Sequence, residues 1–560
     1  MTRRVRGVLI AAAATLVAGA AARARAERAS PEEVAVLART AEKQLDEWRF
    51  ADGRAGVAEL MRVAPEAPQT LYLKGYEHFL EGDYADSVHD LETSLAAGPR
   101  EASAVNAREL RALAAEARDA IKDHKEERFG HFIVRYPAVD GVLLPYAREA
   151  LEAAYRALHD DLGFEAEIPI RIEVYRSPSD LAAVSSLTVA EVARTGTIAL
   201  CKWARLMVTS PRALATGYPW LDTINHELVH YAVSSLTRDR APVWLQEGLA
   251  KFLERRWHEP AGGRIPPAME HMLAKALRTG KLITFEAMHP SMAKLPSAED
   301  ATLAFAEVAN AVGHLYAEKG TAGLRAAVKR VGDGEDAREA VAEAAGVTWT
   351  DFEHGWRAYM VAQKYKTFPA IDFPTTHIRK PNAIASQRKP SEDEALSPSG
   401  KASTTSTAAF RFLRLGNMLL RRERPRAAVI EYEKGAKAVT SAGHGSRDPA
   451  AAWLFPVKLG RTYLVLGEPD RALRALEPVE TVFPDLPWPH VIAGEARLAK
   501  GAPGEAIVEL RAALATNPFD PEVHCTLATA YEKVPHGERP AAEVIAREHQ
   551  FCKELADGGN

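Results

Sequence analysis

The chain has 560 residues, 47% of them apolar and 26% charged, with a formal net charge of −4. That length allows two to four domains with sizeable cores. No basic tract marks a nucleic-acid binder, and three cysteines are too few for a disulfide scaffold.

The N-terminus, "MTRRVRGVLIAAAATLVAGAAARARA", has a basic start, an apolar centre from Val8 to about Ala22, and the small-x-small triplet Ala24, Arg25, Ala26. It reads as a secretory signal peptide over 1–26, cleaved after Ala26. A membrane anchor is the alternative, but the apolar run is short for a span and arginines follow it. Cleavage removes five arginines and takes the net charge to about −9. The mature chain is then expected in a bacterial periplasm or secreted, without an integral membrane span. Cys201, Cys525 and Cys552 form no CxxC, so a metal would have to use histidine and carboxylate; Cys525 and Cys552 have the option of pairing.

Residues 31–122 read as helical repeats. Gly75, Gly82, Ser87 and Pro99 fit one unit, and Pro65 precedes Pro99 by 34 residues. The texture changes over 125–370. "HFIVRY" and "IPIRIEVY" alternate as strands do, with Ile170, Ile172 and Val174 on one face. "GTIALC" and "ARLMVTSP" read as two more strands, and helical patterns run from about 221 to 365. This is an α+β domain. A Pro-, Ser- and Thr-rich linker follows, 371–408, with little that can be buried.

The C-terminal block, 409–556, repeats every 34 residues. Gly460, Gly494 and Ala528 keep that step, as do Ala472 and Ala506, and Pro484 and Pro518. An earlier unit carries Gly416, Ala428 and Tyr432, followed by the insertion "TSAGHGSRDP". Small residues let paired helices approach closely, and the proline stops the second helix. The pattern resembles the tetratricopeptide (TPR) repeat, which implies helix–turn–helix units and concave surfaces for proteins or peptides. A generic array of helical hairpins is the plainer reading. The whole chain is thus expected to be multidomain, an α+β domain between all-α repeat domains.

The chemistry concentrates in "TINHELVHYAV", residues 223–233. Leu221, Ile224, Leu228 and Ala232 form one helical stripe, and His226 and His230 fall roughly opposite. A spacing of four puts both imidazoles one turn apart, able to hold one ion. Glu227 is offset by one residue, beside the ion, where a carboxylate can take a proton from an attacking water. A catalytic zinc needs a third protein ligand. "APVWLQEGLAKFLE" starts a new helix at Pro242, and the turn "SLTRDRAP" lets it fold back with Glu247. Gly248 inside that helix costs about 1 kcal/mol against alanine, which close helix approach explains.

"HELVH" followed by "WLQEGLA" resembles the glutamate-type zincins (gluzincins), and among them bacterial peptidase-MA-like domains over about 125–365. The resemblance implies His226, His230 and Glu247 as Zn2+ ligands, Glu227 as general base, and a sheet edge that holds an extended peptide. "ARLMVTSP" is the candidate edge by that analogy. A third histidine six residues after His230 would mark a metzincin, but Leu236 stands there. The GxMEN motif of aminopeptidases is absent ahead of the helix, so an endopeptidase or an unassigned peptidase is preferred to an aminopeptidase.

This sequence departs from relatives in places. Lys251 occupies the position of a group supporting a ligand, and Phe305 that of a tyrosine. Asp222 or Asn225 are candidates to orient a histidine; Tyr316, His314 and Tyr231 are candidates to stabilise an oxyanion, with packing as the alternative for each. Trp356 reads as core. The expectation is an exported zinc metallopeptidase acting on a protein or peptide. The alternatives are a repeat scaffold with a metal-binding but inactive domain, a structural zinc, and a helix with two solvated histidines.

Overall fold

A computed structural model describes residues 29–263, 265–288, 292, 295–368, 406–441 and 449–557. The signal segment 1–26, nearly all of the 371–408 linker and residues 442–448 of the repeat insertion lie outside them. The described chain opens with five helices: α1 (Pro31–Asp46), α2 (Phe50–Val63), α3 (Pro68–Glu81), α4 (Tyr84–Ala96) and α5 (Glu101–Ile121). Ser30 starts α1 with a capping box completed by Glu33, which satisfies two otherwise orphaned backbone donors. Gly75 has no side chain because a Cβ there would lie 2.7 Å from Leu91 of the neighbouring helix.

The central sheet contains β1 (His124–Phe129), β2 (Phe132–Pro137), β3 (Ile170–Tyr175), β4 (Ala199–Lys202) and β5 (Arg205–Thr209) in the order β1-β2-β3-β5-β4. The inner pairs β2–β3 and β3–β5 are parallel; the outer pairs β1–β2 and β4–β5 are antiparallel. The expected edge strand is a correction. "ARLMVTSP" is β5, hydrogen-bonded on both sides, and the edge is β4 from "GTIALC". The five residues of β5 are buried throughout, as an inner strand requires. β1 was not expected at all, because "HKEERF" has no apolar alternation; as the opposite edge it needs none.

Both faces of β3 are covered. Ile170, Ile172 and Val174 join the main core, where α6 (Leu144–Leu162) packs. Arg171, Glu173 and Tyr175 face the N-terminal repeats, where they meet Tyr84 and Phe79. Tyr84 and Tyr175 each donate to Glu173 at 2.6 Å, and Arg205 pairs with it at 3.1 Å with both side chains fully buried. Arg171 and Arg135 donate to the Leu80 and Gly82 carbonyls at 2.7 Å, satisfying the C-terminal end of α3. The buried charges of this interface are paired with one another, so removing Glu173 or Arg205 strands a buried charge.

Short helices α7 (Pro178–Ala183) and α8 (Val189–Thr195) precede β4. After β5 come α9 (Trp220–Thr237), α10 (Val243–Leu253), α11 (Pro267–Thr279), α12 (Ala298–Asp333), α13 (Ala337–Ala345) and α14 (Trp349–Ala362). Trp356 is in the core, 2% exposed. The last block pairs α15 (Ser406–Arg421) with α16 (Pro425–Ser441), α17 (Pro449–Val465) with α18 (Pro469–Val482), α19 (Pro487–Ala499) with α20 (Pro503–Leu514), and α21 (Pro521–Lys533) with α22 (Ala542–Asp557). Gly460 and Gly494 sit where a Cβ would press on Leu476 and Leu510 of the partner helix, at 3.0 and 2.7 Å. Helical repeats thus flank a central α+β region. Cys525 and Cys552 form a disulfide between α21 and α22. Among the described residues no helix is long and apolar enough to cross a membrane.

Candidate metal centre

Helix α9 is buried nearly all round. Leu221, Ile224, Leu228 and Ala232 are at most 5% exposed, as expected, but so are Trp220, Asn225, Val229, Tyr231 and Val233. The helix therefore runs through the interior, and only its histidine side stays partly open: His226 and His230 keep 13% and 16% exposure. Two residues in the left-handed region, Arg238 and Asp239 at φ 55° and 57°, turn the chain back into α10. Ser234 donates to Asp239 at 2.9 Å and steadies that turn.

The fold-back brings Glu247 to the histidines. His226 Nε2 and His230 Nε2 are 3.1 Å apart, and Glu247 Oε2 lies 3.3 and 3.5 Å from them. The three form a group that can hold a metal ion. Glu247 Oε2 is sealed from solvent and has no hydrogen-bond partner. A buried carboxylate oxygen without a donor is costly, and a cation between it and two imidazole nitrogens removes the cost. The donor set, two imidazoles and one carboxylate, fits zinc chemistry. Gly248 permits the approach: a Cβ there would stand 2.8 Å from the Val308 carbonyl and 2.9 Å from Val312 of α12.

Supporting contacts fix both rings. His226 Nδ1 is 2.9 Å from Glu254 Oε2, and Glu254 is in turn held by Lys251 at 3.0 Å. His230 Nδ1 is 3.2 Å from Gln246 Oε1, whose amide donates to Ser234 at 3.1 Å. With each Nδ1–H donating to an acceptor, each Nε2 lone pair faces the site. Glu254 is the residue that sequence reasoning missed. It lies seven positions after Glu247, two helical turns on the same face, whereas the reading stopped at Lys251, four positions on. The candidates to orient a histidine are corrected: Asp222 accepts from Trp257 Nε1 at 2.8 Å, and Asn225 donates to the Leu221 carbonyl.

Glu227 is 7% exposed. Burial raises its carboxyl above the ordinary value; the two imidazoles pull it down, the Glu247 charge adds to the rise, and the Cys201 backbone N–H hydrogen-bonds to it. Burial disfavours charge on His226, yet the adjacent Glu247 and Glu254 carboxylates outweigh it and lift the imidazole to about 9. Glu247 is held well below the carboxylate range by the two histidines, against burial. The site's own field therefore favours positive charge at its centre.

Cys201 belongs to β4, so the sheet edge lies against the base. The Thr209 N–H bonds the Ile198 carbonyl, and the register alternates from there, turning the peptide groups of Ala199 and Cys201 towards the open edge. The oxyanion candidates pack elsewhere. Tyr231 stands edge-on to Trp48, His314 lies between Phe352 and Tyr359, and Tyr316 packs on Phe252.

Residues 150–362 match the model of a family described as the Peptidase MA superfamily. Among solved structures, the chain matches the crystal structure of the P58(IPK) TPR domain at 12% identity, covering 91% of each chain, with a TM-score of 0.22 that carries no argument about fold. No curated protein matches.

Proposed function

We propose, from the Peptidase MA superfamily domain over residues 150–362, that the protein is an exported zinc-dependent peptidase, an endopeptidase, with TPR-like domains that bind proteins or peptides. His226, His230 and Glu247 hold the zinc. The observation that carries this reading is the buried, unpartnered Glu247 Oε2 facing two imidazole nitrogens. Zinc bound there supplies Lewis acidity, polarising a peptide carbonyl and easing ionisation of the attacking water. Glu227 takes the proton from that water and passes it to the departing amine. An extended substrate pairs with the open edge of β4, through the Ala199 peptide group and the Cys201 carbonyl, the Cys201 N–H being held by Glu227. The apolar start of the chain and the Cys525–Cys552 disulfide suit an oxidising compartment outside the cytoplasm.

The test is Glu227→Gln assayed on a mixed peptide library. Loss of turnover by at least about 10³-fold with the metal retained supports the peptidase. A second reading, a repeat scaffold whose zincin domain binds metal without chemistry, is favoured by one observation: Tyr231, His314 and Tyr316 each pack on other aromatic rings. Wild type and Glu227→Gln equally inert on every library would support that reading.

A further inference from the structure

The C-terminal repeats carry a second group of the same donor chemistry. Glu480 of α18, His490 of α19 and Glu509 of α20 bring one ligand atom each to within 4.8 Å of one another. His490 Nε2 is 2.8 Å from the Pro484 carbonyl, and its Nδ1 is 2.8 Å from Glu509 Oε2.

The next repeat provides an internal control. His524, 34 residues on, has Nε2 2.9 Å from the Pro518 carbonyl and Nδ1 2.7 Å from Glu548 Oε2. A histidine spanning a proline carbonyl and a carboxylate is therefore part of how these repeats fold, and needs no ligand. Glu480 is what differs, because Leu514 stands 34 residues after it. Its Oε1 is sealed from solvent and has no hydrogen-bond partner. Burial raises its carboxyl, and the neighbouring Glu509 raises it further. Arg497 bonds Glu509 Oε1 at 3.1 Å through Nε and pairs with Glu505 through Nη1, so neither of those nitrogens meets Glu480. A second acid placed against an existing His–Glu pair, with an oxygen buried and unmet, weakens the repeat unless a cation sits between them.

We propose that Glu480, His490 and Glu509 form a second divalent-cation site, of zinc type, separate from the one on α9 and α10. His490 offers Nδ1, while its Nε2–H on the Pro484 carbonyl fixes the tautomer. Glu509 offers Oε2 and keeps Oε1 on Arg497; Glu480 offers Oε1. One imidazole and two carboxylates without sulfur suit Zn2+ over softer ions. The donors come from three successive helices, so the ion would tie two repeats together.

The experiment uses the full chain, stripped of metal, reloaded with Zn2+ and dialysed, with zinc counted per chain. Wild type is expected to hold two, Glu480→Gln one, Glu247→Gln one, and the double variant none. Glu480→Gln keeps the His490–Glu509 pair, and circular dichroism checks that it folds. Two zinc ions retained in Glu480→Gln overturn the proposal, as does a wild type holding one that Glu247→Gln loses. A single ion lost in Glu480→Gln but kept in Glu247→Gln upholds this site and contradicts the metal centre on α9.

Discussion

At the scale of single residues, the site depends on side chains that never touch the ion. Glu254 fixes the His226 ring through Nδ1, and Lys251 fixes Glu254. Removing such a partner typically weakens metal binding 10- to 100-fold. Glu254→Ala should therefore raise the zinc dissociation constant by about that factor while the fold persists; an unchanged constant in competition with a chelator would reject the role. Glu307 offers a pH test on a carboxyl that is not a ligand. It is fully buried, both oxygens accept from the Ile283 N–H, and burial pushes its carboxyl up to about 8. The unfolded chain loses this proton near pH 4.5 and the folded chain keeps it until about 8, so this group's contribution to stability falls as pH rises between them. Glu307→Gln should flatten that decline and add on the order of 1–3 kcal/mol at pH 8, as measured by urea unfolding at pH 5 and pH 8. An equal effect at both pH values would contradict it.

Among elements, the decisive contact is α10 against α12. Glycine at 248 forfeits helix propensity so that the two backbones can meet, and the meeting sets where Glu247 points. On propensity alone Gly248→Ala should stabilise by about 1 kcal/mol. The contact predicts net destabilisation of about 1–2 kcal/mol, since overpacking costs more, and weaker zinc binding with it. Unfolding curves that show a gain would remove the contact from the account. The histidine spacing, the fold-back helix and Gly248 were all legible because each follows from local periodicity or a local violation of it. The sheet order was less so. β1 hides among charged residues, and which of two adjacent short strands forms the edge depends on parallel pairing with β3, which leaves no mark within either strand. Glu254 was missed for a simpler reason: its spacing is local, but two turns rather than one from the ligand.

For the whole molecule, the repeats are not appendages. The N-terminal block meets the sheet through the bonded cluster of Tyr84, Glu173 and Arg205, and meets α9 through Trp48 on Tyr231. The C-terminal block reaches the start of α9 directly: Tyr218 and Trp220 N–H groups bond the Thr516 and Ala515 carbonyls at 3.1 Å, and the Trp220 indole bonds Leu514 at 3.0 Å. Such contacts join residues about 300 positions apart and leave no periodic trace, so a reading by segments sees only separate domains. Gly217, at φ 69°, lies so close to Thr516 that any side chain would collide with its carbonyl. Gly217→Val should therefore undock this contact and speed hydrogen exchange at Tyr218 and Trp220; unchanged exchange would mean the repeats do not hold the helix.

The central claim is one ion shared by two turns of α9 and one of α10. A zinc-edge anomalous difference map from crystals of the full chain tests it most directly. The account predicts a peak between His226 Nε2, His230 Nε2 and Glu247 Oε2. A zinc-loaded crystal without density there, or with the Glu247 carboxylate turned out of reach of both rings, would contradict it.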